Sequence, residues 1–166
     1  EDTALRGPAI SGPADLDQAA LEAWAARVGR AAGSTGRFVC LYGPLGAGKS
    51  TFVRAACRAA GVEGAIPSPT FTLVNRHRTL SGETIWHADL YRLSDPQEVD
   101  ELGLTEAFDT AICLVEWPDR LGDEMPARAL WLSLRMVPGQ DDARSLILSS
   151  DRPGLWADRL RTLVPA

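Results

Sequence analysis

Lysine is scarce in this chain. Of its 17 lysine and arginine residues only Lys49 is a lysine, and asparagine occurs only at Asn75. The Asn-Lys-x-Asp motif that usually reads guanine is therefore impossible here, because its asparagine and lysine would have to be adjacent. A GTPase of the usual kind is therefore disfavoured.

Cysteines and long apolar stretches are also few. Cys40, Cys57 and Cys113 lie among apolar neighbours without C-x-x-C spacing, which predicts buried thiols rather than a disulfide framework or a zinc site. No apolar stretch approaches membrane-spanning length and no signal peptide is visible, so we expect a cytoplasmic protein with no membrane partner. The net charge of −5 argues against a protein that grips nucleic acid unaided.

Lys49 lies in a glycine-rich segment, GPLGAGKS at residues 43–50, which is a complete Walker A motif. A compact ammonium can reach between β- and γ-phosphates, where a planar guanidinium would not fit. The apolar residues 38–42 predict a buried parallel strand before the loop, and residues 51–60 predict a helix after it. This order aims loop amides and a helix N-terminus at phosphate oxygens. The sequence therefore predicts a nucleoside triphosphate site.

The rest of the pattern predicts one P-loop ATPase domain over residues 1–166, with a loose segment at residues 1–12. The expected fold is a P-loop NTPase-like three-layer α/β sandwich, in which a mainly parallel central sheet carries helices on both faces and gains antiparallel strands. Helices are predicted from Asp15 or Asp17 to about Ala32, from Ser94 onward and at residues 154–163. Strands are predicted at residues 71–78, 84–89, 111–115, 129–136 and 144–149.

A nucleotide site of this kind needs magnesium, which prefers oxygen ligands. Ser50 supplies a hydroxyl oxygen, and a carboxylate is expected at the end of a neighbouring buried strand. Asp89 and Glu116 both follow apolar strands, and the residues alone leave open which of them touches the ion and which orients water or the serine. His77 and His87 are separated by a turn and lack a ligand set, so they are not predicted to bind metal.

Four stretches of the chain together resemble the bacterial TsaE (YjeE) family, the small ATPase of tRNA threonylcarbamoyladenosine biosynthesis. They occur in the family's order and at about its spacing: LYGPLGAGKST at residues 41–51, SPTFTLV at 68–74, HADLYRL at 87–93 and LVEWP at 114–118. A lone Walker A motif occurs in very many families, whereas this set is close to diagnostic.

The resemblance implies ATP and Mg²⁺ as cofactors and assigns roles by position. It gives catalytic roles to Lys49, Asp89 and Glu116, with Asp89 in a Walker B-like role, and it gives the metal to Ser50 and Glu116. The residues 68–70 resemble a switch loop. The nucleotide-binding residues that it implies are Asp17, Gly46, Ala47, Gly48, Lys49, Ser50, Thr51, Thr70 and Trp117.

The sequence does not decide the roles of two arginines. In the family an arginine late in the chain reaches the nucleotide, and the corresponding position here is Asp141. Arg144 lies three residues further on, and the sequence does not decide whether it substitutes. Arg92 follows Asp89 by three residues and could face phosphate, a partner or solvent.

The resemblance further implies an ATPase that is slow alone and acts on the TsaD–TsaB complex, meeting tRNA only through it. That complex makes the threonylcarbamoyl modification at adenosine 37 of tRNAs that read codons beginning with A. Two alternatives remain from the residues themselves. One is a small-molecule P-loop kinase, for which the short hairpin at residues 76–83 would be the only lid. The other is a nucleotide-gated interaction module that does not hydrolyse ATP.

Overall fold

In the computed structural model the described residues are 7–32, 38–44, 47–67, 74–91, 93, 95, 97–124 and 126–162. Seven strands form one sheet, and they are β1 (Ala9–Leu16), β2 (Phe38–Tyr42), β3 (Val74–Arg78), β4 (Thr84–Asp89), β5 (Ile112–Glu116), β6 (Leu130–Val137) and β7 (Gln140–Ser149). Their order across the sheet is β1-β7-β6-β2-β5-β4-β3. The strands β6, β2, β5 and β4 are mutually parallel, while β3, β7 and β1 add antiparallel pairs. The prediction of a mainly parallel sheet with antiparallel additions is confirmed.

Helices cover both faces of this sheet. One face carries α1 (Gln18–Ala31), α2 (Lys49–Ala59) and α5 (Pro153–Thr162), which share one cluster of buried side chains with the strands. The other face carries α4 (Leu104–Thr110) and a 3-10 helix (Pro118–Glu124), with α3 (Gln97–Glu101) beside α4. The three-layer arrangement predicted from the sequence is therefore confirmed.

The central strand β2 contributes side chains to the apolar clusters on both faces of the sheet. Successive side chains of a strand point to opposite faces, so Val39 and Leu41 pack in the cluster under α1 and α2. Phe38 and Cys40 pack in the cluster on the opposite face. Because both faces are covered, the strand is apolar throughout rather than alternating, as expected for a buried parallel strand.

Strand β1 corrects the expectation for the N-terminus, because the structure places residues 9–12 in an edge strand rather than in a loose segment. Its antiparallel pairing with β7 is irregular, with register shifts between Ala9 and Ser11 and between Ser11 and Ala14. Gly12 lies at the second shift with a φ of 92°. Prolines and bulges are tolerated in edge strands, which is why this strand lacks the alternating pattern that sequence reasoning looks for.

The region after β4 differs from the prediction in detail. The expected helix start near Ser94 becomes the short helix α3, which Asp95 caps: the Gln97 N–H donates to Asp95 Oδ1 at 3.0 Å, and the Asp95 N–H donates to Glu98 Oε1 at 3.2 Å. Gly103, with a φ of 79°, then allows the chain to start α4. Neither α4 nor the 3-10 helix was anticipated from the sequence.

Two expectations drawn from the scarce residue types can be compared with the structure. Cys40, Cys57 and Cys113 are all buried and form no disulfide, as predicted. Within the described ranges, every helix is too short or too polar to cross a membrane.

The contact between α1 and α2 generates a first prediction. A Cβ placed on Gly29 would lie 2.3 Å from the Ala56 carbonyl oxygen, whereas a Cβ on Gly154 would meet no atom within 4 Å. We expect Gly29→Ala to destabilise the protein by about 1–3 kcal/mol, because the helices must shift apart. The matched control Gly154→Ala should be neutral or stabilise by up to about 1 kcal/mol. Urea unfolding midpoints measure both, and equal midpoints for the two variants would show that the helices separate without cost.

Candidate functional site

The carboxyl ends of the parallel strands bring two acids to one edge of the sheet. Glu116 ends β5, where it pairs with Leu41 of β2 on one side and with Asp89 of β4 on the other. Glu116 is 5% exposed, and Asp89 is half-buried and accepts a hydrogen bond from the Tyr91 N–H at 3.1 Å. Open α/β sheets bind ligands at this edge.

The described part of the glycine-rich loop leads directly into α2. Gly48 caps the helix with a φ of 102°, and the Phe52 N–H donates to the Gly48 carbonyl at 2.9 Å. The backbone amides before Phe52 therefore precede the helix's own hydrogen-bond ladder, which is where helices bind anions. Gly43 lies where a Cβ would be 2.5 Å from the Leu134 carbonyl oxygen, so a larger residue would push the loop away from the sheet.

Lys49 is buried at the first position of α2, with 7% of its surface exposed. Its Nζ donates a hydrogen bond to the Gly43 carbonyl oxygen and lies 4.9 Å from the centre of the Trp117 ring. The chain thus holds the ammonium with a backbone dipole and an aromatic face.

Burial shifts the pKa values of two groups at this edge. It lowers the pKa of the Lys49 ammonium, although the carboxylates of Glu116 and Asp89 oppose that shift. It raises the pKa of the Asp89 carboxyl, a shift to which Glu116 adds and which the Tyr91 N–H opposes. A carboxyl with a raised pKa is a better proton acceptor, which suits a group that orients a nucleophilic water.

Glu116 has a histidine partner. His87 Nε2 and Glu116 Oε2 lie 2.7 Å apart, and the two side chains are only 2% and 7% exposed. His87 precedes Asp89 by two residues in β4, so both side chains point to the same face of the sheet. Sequence reasoning considered His87 only as a metal ligand, decided against that role and missed this pair.

Trp117 has an unusual backbone conformation. Its φ of 57° is the only positive value at a non-glycine residue in the described part of the chain. The ring lies 4.9 Å from that of Tyr91, tilted by 49°, and faces the Lys49 ammonium. Strained backbones of this kind persist where the surroundings hold them and are common at functional sites.

These groups line one cavity of about 370 Å³. It brings together the start of α2, the two strand-end acids, the aromatic pair and an arginine of β7. The lining residues are Gly48, Lys49, Ser50, Thr51, Asp89, Tyr91, Glu116, Trp117 and Arg144.

A second cavity of about 410 Å³ adjoins the first, since both are lined by Gly48, Thr51 and Arg144. Its wall includes Asp17, which also caps α1 by accepting a hydrogen bond from the Ala20 N–H at 2.8 Å. Asp141 is in the wall as well. The two cavities together form a groove that passes over the N-terminal end of α2.

Most of the residues singled out from the sequence lie in this groove. Asp17, Gly48, Lys49, Ser50, Thr51, Asp89, Glu116 and Trp117 line one or both cavities, and Ala47 is buried in the adjoining loop. Gly46, Thr70 and the rest of the switch-like residues 68–70 lie outside the described residues, as does Arg92. The assigned roles remain predictions.

The oxygen ligands offered here fit magnesium better than a metal ion that is ligated by protein side chains alone. Ser50, Asp89 and Glu116 offer hard oxygen atoms around one cavity. Among the described residues, however, no cluster of three or more His, Cys, Asp or Glu side chains could hold a metal. Mg²⁺ usually takes one or two carboxylates and completes its shell with waters and substrate phosphates. The site is therefore suited to an ion that arrives with a nucleotide.

Comparison with known proteins agrees with the resemblance seen in the sequence. The family model described as "Threonylcarbamoyl adenosine biosynthesis protein TsaE" matches residues 16–146. The chain belongs to the TsaE family. A protein from Haemophilus influenzae named tRNA threonylcarbamoyladenosine biosynthesis protein TsaE is 39% identical over 111 residues, 66% of this chain and 68% of the relative. A Bacillus subtilis protein of the same name is 32% identical over 116 residues, 69% and 70% of the two chains.

A solved structure extends the likeness to nearly the whole fold. The crystal structure of Bacillus subtilis YdiB matches with a TM-score of 0.66 at 22% identity, covering 92% of this chain and 97% of that one. At this identity the match supports the P-loop-like fold of this TsaE family member and nothing finer.

The buried lysine generates a second prediction. Its pKa is lowered, so the folded state disfavours the ammonium relative to the unfolded chain. The full free-energy penalty applies at any pH where the lysine is charged in both the folded and the unfolded state. It disappears as the pH rises above the ordinary lysine pKa. We therefore expect Lys49→Met to raise the urea midpoint of the nucleotide-free protein at neutral pH.

Arg54→Met is the matched control, because Arg54 is an exposed cation on the same helix. Its free energy of unfolding should stay within about 0.5 kcal/mol of the parent. A midpoint that falls in Lys49→Met would mean that the bond to the Gly43 carbonyl outweighs the cost of burial.

Proposed function

We propose that this chain binds ATP with Mg²⁺ and hydrolyses it slowly, and that it serves threonylcarbamoyladenosine biosynthesis on tRNA by acting on the TsaD–TsaB complex. The single observation that carries the proposal is the cavity of about 370 Å³ lined by the Walker lysine, Ser50 and the two strand-end acids. A P-loop needs these groups within reach of the same phosphates.

The residues have distinct tasks in hydrolysis. The Lys49 ammonium and the amides at the start of α2 balance the charge of the β- and γ-phosphates. Ser50 and Glu116 hold Mg²⁺, which when bound neutralises charge on the phosphate oxygens. Asp89, whose pKa is raised by burial, orients the attacking water. Glu116 is anchored by His87, so it is the better placed of the two acids for holding an ion.

The second cavity suits the rest of the nucleotide. It continues from the cavity around Lys49 past Gly48, Thr51 and Arg144 toward Asp17. Its polar wall can take a ribose and base edge. The absence of a guanine-reading motif in the sequence favours adenine.

The link to tRNA is supported by family membership and by the names of relatives from Haemophilus influenzae and Bacillus subtilis. The net charge of −5 is unfavourable for direct binding to a polyanion. The chain therefore acts through protein partners, and ATP turnover resets the TsaD–TsaB pair between its catalytic cycles.

The direct test is phosphate release from ATP by the chain alone and with purified TsaD–TsaB. We expect slow turnover alone, a clear rise with the pair, and a loss of at least about 100-fold in Lys49→Ala and Glu116→Ala, since each removes charge stabilisation of the transition state. Arg152→Ala, at an exposed position outside both cavities, is the control and should keep full activity.

Other outcomes would select the alternatives. Nucleotide-dependent binding to TsaD–TsaB without any release of phosphate, by the parent chain alone or with the pair, would indicate a nucleotide-gated module. Transfer of radioactive γ-phosphate to a small molecule rather than to water would indicate a kinase. Neither result is compatible with the proposed ATPase.

Arg144 gives a separate prediction within this proposal. Its Nη1 donates to the carbonyls of Asp141 and Ala143 at 2.7 and 2.8 Å, and it lines both cavities. We propose that it contacts the nucleotide in place of the arginine that the family has at the Asp141 position. Arg144→Ala should weaken the binding of a non-hydrolysable ATP analogue about 10-fold or more, the cost of a hydrogen bond to a charged group.

Calorimetric titration measures this affinity, with Arg152→Ala as the control. The double variant Asp141→Arg/Arg144→Ala moves the guanidinium to the family's position and should recover part of the loss. Unchanged affinity in Arg144→Ala would refute the assignment.

A further inference from the structure

The buried contact between His87 and Glu116 has a consequence for the ion site. Glu116 lines the phosphate cavity, while His87 is not among the described residues that line it. The imidazole therefore meets the carboxylate from the interior, through one oxygen, at 2.7 Å. Both side chains are almost fully buried, so water does not compete for this hydrogen bond.

The register of the sheet explains why these two residues meet. His87 pairs with Leu114, and Asp89 pairs with Glu116 in the next aligned position on the same face. His87 is thus the diagonal neighbour of Glu116, within reach of a long side chain. A shift of one residue in β4 would turn the imidazole to the opposite face, and the same shift in β5 would turn the carboxylate.

We propose that His87 is a positioning residue that fixes the Glu116 carboxylate for Mg²⁺ in the nucleotide complex. This inference rests on the proposed function. A glutamate has three rotatable side-chain bonds, and a buried donor on one oxygen selects a single orientation before the ion arrives. Hydrogen-bond partners of this kind, which do not touch the metal, typically change metal affinity by about 10–100-fold when they are removed.

A purely structural pair is the competing explanation. Breaking a buried hydrogen bond lowers stability, but it would not specifically change the response to magnesium. Because Glu116 lies at the cavity wall, a positioning role means that a His87 substitution changes the response to Mg²⁺ through the Glu116 carboxylate. A purely structural role predicts no such dependence.

The test measures the Mg²⁺ concentration that gives half-maximal binding of a non-hydrolysable ATP analogue. The amide nitrogen of His87→Gln reaches the position of Nε2, whereas that of His87→Asn reaches the position of Nδ1. We expect His87→Gln to stay close to the parent and His87→Asn to need about 10-fold or more Mg²⁺. Binding of the analogue without Mg²⁺ should be the same in all three proteins, which a general loss of structure would not allow.

A double-variant cycle completes the test. Glu116→Gln alone should shift the Mg²⁺ midpoint, and Glu116→Gln/His87→Asn should shift it no further, because His87 acts through the carboxylate. Two outcomes would overturn the positioning role of His87 and leave the proposed magnesium site standing. One is additive shifts in the double variant, and the other is a His87→Asn midpoint equal to that of the parent while the Glu116→Gln midpoint is shifted. A Glu116→Gln midpoint equal to that of the parent would overturn the proposed magnesium site itself.

Discussion

The register of three parallel strands decides where the charged groups of this protein lie. Leu41, Glu116 and Asp89 are aligned across β2, β5 and β4. The glycine-rich loop therefore begins at the same edge of the sheet at which both acids lie. Side chains alternate strictly along each strand, and the same register therefore turns His87, Asp89 and Glu116 toward α2. A slip of one residue would exchange these polar groups for the apolar residues of the opposite core.

Placing charges at a buried edge opposes folding. Burial lowers the pKa of Lys49 and raises that of Asp89, which means that the folded chain disfavours both charged forms. The two large apolar clusters on either face of the sheet supply the compensating stability. The fold can tolerate the unfavourable burial of these charged groups because both faces of the sheet beneath them are apolar.

Much of this arrangement could be predicted from the sequence, where local signals were strong. The strand before Lys49, the helix after it and the acids at the ends of β4 and β5 follow from spacing and apolar runs. The contact of His87 with Glu116 could not be predicted, because it requires knowing that β4 and β5 are neighbours and parallel. Arg144 is brought to the groove by the pairing of β7 with β6 and β1, which are distant in sequence or irregular. The strand β1 itself is hidden from pattern reasoning by the bulge at Gly12.

The contacts of Lys49 connect the cavity at the sheet edge to the protein surface. In the described structure its ammonium is held by the Gly43 carbonyl and the Trp117 ring. Trp117 in turn packs on Tyr91, which is 55% exposed and whose carbonyl accepts a hydrogen bond from Arg120 at 3.3 Å. The buried ammonium of Lys49 and the exposed ring of Tyr91 are therefore linked through a single residue, Trp117, whose backbone has a positive φ.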